Sequence, residues 1–427
     1  MKGENKFISE VYAMMKRRVV ITGLGVVAPN GIGKEAFWQS LKEGKSGIKK
    51  ISRFDATTYP SQIAGEVNDF DPLEYMDPKT AKRMDRFSQF ALAGSKMALE
   101  DAGIKIGDSS LESAGIVIGS AIGGVPHAEE QHSIFIEKGL KRVSPYLAIR
   151  LFTGAAASQI SIALGIKGYG NTIGGACTAG TDAIGYAFDI IRKGETDMII
   201  TGGAEAPLAP LTFASFCTID AISNINGDPA RASRPFDAER NGFVMSEGAG
   251  VVVLEELERA LKRKVPIYAE VIGYGTTHDA FHMVHPLPHG EQAKKAIKKS
   301  LEDASIRPDE IDYINAHGTS TVLNDKIETA VIKEIFGERA YNIPINATKS
   351  MTGHTIGASG SLEIIATALT IKEQFLHPTI NYDYPDPECD LDYVPNVGRP
   401  AKIKCALSNS FGFGGKNSAL ILKRVRY

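Results

Sequence analysis

The chain has 427 residues, 43% hydrophobic and 23% charged, with a formal net charge of −2. This is the composition of a globular protein with ample core and about two to three domains, too near neutral for bulk nucleic-acid binding. Its four cysteines, at 177, 217, 389 and 405, have no paired spacing, which excludes a disulfide framework and suits a reducing, cytoplasmic setting.

The first fifteen residues carry Lys2, Glu4, Lys6 and Glu10 and lack the apolar centre of a signal peptide. Phe7, Ile8, Val11, Tyr12 and Met15 form one face if this stretch is helical; alternatively, translation starts at Met15. Residues 1–16 are therefore read as an extension. No apolar run reaches the ~18 residues of a membrane span. Residues 17–31, RRVVITGLGVVAPNG, read as a strand ending in a Gly-rich turn, without the third Gly of a dinucleotide fingerprint. Lys79, Lys82, Arg83 and Arg86 share one face if helical, either as a solvated face or as a dock for an acidic partner.

An internal repeat follows. Residues 88–119 give a helix, the word LEDAGI, a loop and a β run; residues 289–319 do the same with LEDASI. Residues 242–257 and 412–425 echo each other, each with glycines before an apolar strand. Helix–strand alternation in both parts predicts two related α/β halves, 17–264 and 265–427, with mixed sheets covered by helices. Residues 141–164 read as a helical insert covering the Cys177 region, and residues 202–248 as a long functional loop.

Residues 170–191, GNTIGGACTAGTDAIGYAFDII, read as a short strand, a Gly-Gly turn, Cys177, and an apolar helix. A sulfur at a helix start faces unpaired N–H groups and the positive end of the dipole, and both favour thiolate. A small buried core cysteine is the competing reading. HDAFHMVHPLPH (278–289) holds four His, but Pro286 and Pro288 break a helix and no Cys or paired carboxylate completes a shell, so no metal is assigned.

Three C-terminal loops complete the pattern. NAHGTSTVLNDKIET (315–329) carries His317, Asp325, Lys326 and Glu328. NATKSMTGHTIGASG (346–360) carries Lys349 and His354, and SNSFGFGGKNS (408–418) is Gly-rich. Each follows a β-type run, where α/β folds place their sites. A helix-start cysteine with two histidines predicts a Cys–His–His active site. A thiolate accepts acyl groups from thioesters, and neutral imidazoles suit an intermediate whose carbonyl oxygen becomes an enolate. Backbone N–H groups of the GFGG loop supply an oxyanion hole. Lys349 and Glu328 are expected to pair and hold the two His loops in register.

The words VVITGLGVVAPNG, ACTAG, ASRPFDAERNGFVMSEGAG, DAFHM, AHGTST, KSMTGHTIGASG and NSFGFGG, in this order from about Lys16 to Tyr427, resemble those of the β-ketoacyl-acyl-carrier-protein synthases, decarboxylating condensing enzymes of the thiolase superfamily. The resemblance implies a duplicated five-layer α/β/α/β/α fold with mixed sheets and no cofactor. It makes Cys177 the acyl-accepting nucleophile and assigns decarboxylation and enolate stabilisation to His317 and His354, supported by Lys349 and Glu328. It gives the N–H groups of Cys177 and Phe413 to the oxyanion hole and makes Phe413 a gate. It places Thr319 and Thr321 on the pantetheine arm, Ile122 and Phe216 in the acyl tunnel, and Lys79, Lys82 and Arg83 against an acidic acyl carrier protein. It implies a homodimer in fatty acid elongation. The alternative is the ketosynthase of a type II polyketide or polyene pathway, paired with a chain-length factor. The sequence departs from the pattern at TVLND after His317, at Val284, at Asp220 and at Lys416. The loop SNSFGFGGKN lacks the second cysteine a degradative thiolase needs.

Overall fold

The run VVITGLGVVA forms strand β1 (Val19–Ala28), buried along all ten residues. A strand covered on both faces requires such an uninterrupted apolar sequence. The computed structural model describes residues 17–425, so the Phe7–Met15 face lies outside the described residues. Gly23 and Gly25 lie inside β1, not in the turn anticipated for them. A methyl group on either would overlap the Ala98 or Gly94 carbonyl of helix α1 (Arg86–Asp101), so these glycines let helix and strand backbones touch.

The N-terminal part contributes β1, β2 (Gly115–Gly119), β3 (Gly170–Ile173), β4 (Met198–Glu205) and β5 (Gly248–Glu256), in spatial order β3-β2-β4-β5-β1. The C-terminal part contributes β6 (Ala269–His278), β7 (Tyr313–Asn315), β8 (Ile345–Asn346), β9 (Cys405–Gly412) and β10 (Lys416–Lys423), in order β8-β7-β9-β10-β6. The two orders are one permutation used twice. The directions also match. The second strand of each half pairs parallel with the third and fourth, and the fifth pairs antiparallel with the fourth and first. The two units join where Val19–Ile21 of β1 pair with Ala269–Val271 of β6.

Helices α2 (Ala179–Arg192) and α5 (Ser359–Glu373) are buried along most of their length and pack against each other. One continuous core joins both helices to strands of both halves. On the outside, α1 covers β1 and β5, while α3 (Glu291–Ala304) covers β6 and β10, each over its own apolar cluster. These layers make the five-layer α/β/α/β/α fold. The close contact also repeats: Gly273 and Gly275 of β6 meet the Ser300 and Ala296 carbonyls of α3, as Gly23 and Gly25 meet α1.

The 141–164 segment corrects an expectation. Its helix Ala155–Leu164 packs its Ala156, Ile160 and Leu164 face against α1 and β2, and none of the segment lines the cavity at Cys177. Its small residues fit the α1 surface closely.

Candidate active site

β3 leads through Gly174 and Gly175 into a single 3₁₀ turn, Ala176–Thr178, from which α2 continues. Cys177 sits on that turn, 5% exposed. Two backbone N–H groups are directed at its sulfur, those of Phe413 and of Cys177 itself. A Cβ on Gly412 would lie 3.1 Å from the Cys177 nitrogen, so glycine lets the GFGG hairpin approach this closely. Farther along α2, Asp182 accepts from Thr178 Oγ1 (2.6 Å), Tyr274 Oη (2.8 Å) and Ser418 Oγ, tying the helix to β6 and β10.

The expected thiolate is not the resting form. Burial pushes the Cys177 thiol up to about 11, against the pull of the Phe413 N–H and the Lys349 charge. Loss of water outweighs the helix start here, because a buried sulfur anion has few partners to replace its hydration.

His317 follows β7, and His354 follows the short helix Lys349–Thr352. Their rings lie edge to face with centroids 5.5 Å apart. Lys349 Nζ donates toward His317 Nδ1 at 3.2 Å and to the His317 carbonyl at 2.7 Å. The Ile356 N–H donates to His354 Nδ1 at 3.2 Å, with Ser359 Oγ 2.8 Å away. In each ring Nδ1 is therefore an acceptor, which assigns the proton to Nε2 and leaves two Nε2–H donors. Burial, then the Lys349 charge, holds both imidazoles well below the usual histidine range, so both are neutral at pH 7.

The expected Lys349–Glu328 pair is corrected. Lys349 pairs with Glu363 of α5, both nearly fully buried. Glu328, on helix α4 (Val322–Phe336), instead accepts from the His317 and Gly318 N–H groups, both at 2.9 Å, and from Asn409 Nδ2 at 3.1 Å. Its oxygens are taken by the loop it holds. Burial pushes Glu328 up to about 7. Asp325 on the same helix accepts from the N–H groups of Thr319, Ser320 and Phe236 and shapes the loop in which Thr319 and Thr321 join hydroxyls at 2.8 Å. Sequence reasoning missed Glu363; a lone acid in the apolar run SLEIIATALTI was the available signal.

A cavity of about 230 Å³ brings together Cys177, His317, His354, Thr319, Thr321 and Phe413. Asp220 and Val284 line it too. Ile122 and Phe216 do not. Phe216 stacks on Phe413 (6.2 Å, 20°) and meets Phe243 edge-on, within an apolar cluster that shares Cys177, Phe243 and Phe413 with the cavity wall. His282 stacks on His285 at 4.6 Å, and its Nδ1 accepts from the Val284 and His285 N–H groups.

Lys79, Lys82 and Arg83 are exposed on the helix Pro78–Arg83. Arg86 does not share their face. The chain turns extended at Met84 and Asp85, Asp85 caps α1, and Arg86 chelates Glu247 (2.9 Å twice) and lies over Phe90. No group of three or more His, Cys, Asp or Glu able to hold a metal ion occurs among the described residues. Asn315 Oδ1, Glu363 Oε2, Ser408 Oγ and Asn409 Oδ1 are buried without hydrogen-bond partners.

A helix-start cysteine under two convergent N–H groups, facing two neutral imidazoles on a duplicated α/β fold, defines a condensing acyltransferase of the thiolase-like class. The chain belongs to the beta-ketoacyl synthase family: residues 16–260 match its N-terminal domain and residues 268–383 its C-terminal domain. Members of the family are decarboxylating condensing enzymes. The chain is similar to 3-oxoacyl-[acyl-carrier-protein] synthase 2 of Synechocystis sp., 47% identical over 96% of this chain and 99% of the relative. It is similar to the ketosynthase of a type II polyketide system solved in complex with its acyl-carrier protein and bound to the hexaketide (38% identity, TM-score 0.89, 96% of this chain and 100% of that one). It also resembles the ishigamide ketosynthase/chain length factor (37%, TM-score 0.90, 96% and 100%).

Proposed function

We propose that the protein makes 3-oxoacyl thioesters on an acyl carrier protein in fatty acid elongation, with the nucleophile on the half 17–264 and both imidazoles on the half 265–427. Cys177 Sγ attacks the carbonyl of an acyl-carrier-protein thioester. The tetrahedral oxyanion takes the N–H groups of Cys177 and Phe413. The carrier leaves as its thiol with the proton that Cys177 gives up, and the acyl group stays on sulfur. A malonyl-carrier protein then enters beside Thr319 and Thr321. Its carboxylate leaves as carbon dioxide, and the electron pair becomes an enolate whose oxygen accepts the two Nε2–H donors. The enolate carbon bonds to the acyl carbonyl, and the C–S bond breaks to release Cys177 as a thiolate, which takes one proton from water to return to its resting thiol. Neutral histidines fit this step, since a ring that accepts at Nδ1 still donates its Nε2–H.

The observation that carries the reading is that one cavity holds a sulfur under two N–H groups and two neutral imidazoles. Lys79, Lys82 and Arg83 meet the acidic carrier, Ile122 and Phe216 face the acyl chain, and Phe413 gates it. The half-exposed edge strand β3, flanked by exposed Ile162 and Tyr186, supports a homodimer joined along that edge. We place the enzyme in the cytoplasm; no helix among the described residues is long and apolar enough to cross a membrane. Likeness to polyketide ketosynthases supports the second reading, a type II polyketide or polyene ketosynthase working with a chain-length factor. Intact-mass analysis of products from acyl- and malonyl-carrier proteins separates the two: one two-carbon extension of a supplied acyl chain by the protein alone supports elongation, whereas dependence on a cysteine-less partner overturns it.

A further inference from the structure

Glu205 ends β4, is completely buried, and has no part in the steps above. Five neutral donors converge on its carboxylate. Oε1 accepts from Ser120 Oγ at 3.0 Å and from the Ile122 and Gly123 N–H groups at 3.2 Å. Oε2 accepts from the Ala121 N–H at 2.7 Å and the Gly357 N–H at 3.2 Å. Four of these donors belong to the turn that follows β2 and carries Ile122. The fifth belongs to the turn after His354, three residues on. A Cβ on Gly357 would collide with Glu205 Oε2 and the Ala121 nitrogen, so the two turns meet through a glycine. Only a carboxylate of this length accepts at both oxygens; glutamine would set an N–H₂ group against two N–H donors in either orientation.

We infer that Glu205 is a positioning residue, locking the Ser120–Gly123 turn to the His354 turn through Gly357, so that the wall facing the acyl chain and the imidazole facing the malonyl thioester keep one relative placement. The inference rests on the reading of Cys177 as nucleophile and adds to it a residue that touches no reacting atom. Glu205 also acts on the sulfur through space. Its negative charge raises the Cys177 thiol, opposed by the Lys349 ammonium, while His317 and His354 beside them are neutral. Burial pushes Glu205 itself up to about 7.

Two variants separate the lock from the charge. Glu205→Gln keeps length and loses charge; Glu205→Asp keeps charge and loses reach. Acylation of Cys177 is followed by intact mass with lauroyl- and acetyl-carrier-protein donors, beside thermal unfolding and the pH profile of Cys177 alkylation by iodoacetamide. Both variants should slow lauroyl transfer about tenfold, the loss of one to two hydrogen bonds, and acetyl transfer much less, because only the long chain reaches the Ile122 turn. The alkylation profile should move to lower pH by roughly half a unit in Glu205→Gln and stay in place in Glu205→Asp. Equal slowing with both donors, wild-type lauroyl transfer in Glu205→Asp, or an unmoved profile in Glu205→Gln overturns the inference. A wild-type protein that takes no acyl group on Cys177 overturns the proposed function instead.

Discussion

The two halves repeat one unit, and their third-strand turns differ in length and content. In the N-terminal half, β3 reaches its helix α2 across a short turn, residues 174–178, that carries Cys177. In the C-terminal half, β8 reaches α5 across residues 347–358, which carry Lys349 and His354. The short turn presses the sulfur against a helix start; the long one has room for an ion pair and an imidazole. The second-strand turns run parallel as well. A buried carboxylate gathers backbone N–H groups in each, Glu205 at 121–123 and Glu328 at 317–318. The two scaffolds carry different groups: a buried thiol on one, two neutral imidazoles with Nε2–H donors on the other.

Replacing single residues breaks this division in graded ways. Cys177→Ala should abolish condensation, with kcat down by about 10³-fold or more in steady-state assays of 3-oxoacyl product. On the opposite half, His317→Ala and His354→Ala should each slow carbon dioxide release from malonyl thioester by about 10²- to 10³-fold, the loss of one oxyanion donor, while Cys177 still takes an acyl group. Glu363→Ala leaves the Lys349 ammonium buried and unpaired. It should cost about 3–5 kcal/mol in chemical denaturation, whereas exposed Lys82→Ala should stay within about 0.5 kcal/mol. Gly412→Ala pushes on the Cys177 backbone and should slow acylation about tenfold with little change in malonyl decarboxylation.

The mildest probe is pH. With the thiol raised to about 11, the thiolate fraction grows about tenfold per pH unit between 7 and 10, so iodoacetamide labelling of Cys177 should keep rising over that range. A plateau reached below pH 8 would mean that the helix start, not burial, sets the sulfur. The imidazoles move the other way: their neutral form persists as pH falls through 6.5, so decarboxylation should not decline there on their account.

The repeat was legible because its words recur beside strands and helices of matching order, and the meeting of Cys177, His317 and His354 in one cavity because each stands in a Gly-rich turn after a β run. Partner choice was not legible. Lys349 pairs with Glu363 rather than Glu328 because α5 passes beneath its turn, a fact of layer packing. Arg86 left its neighbours because Asp85 caps a new helix, a signal present in the sequence but outweighed by the regular spacing of the charges. The state of the Cys177 thiol depends on burial, which a local stretch of sequence does not report.

The most direct test is to load the His317→Ala, His354→Ala and unaltered proteins with an acyl-carrier-protein thioester, locate the adduct by peptide mass, then add labelled malonyl-carrier protein and time the carbon dioxide released. The account requires one acyl group on Cys177 in all three, with release fast only in the unaltered protein. An adduct on any other residue, or imidazole variants that release carbon dioxide at the unaltered rate, would contradict it.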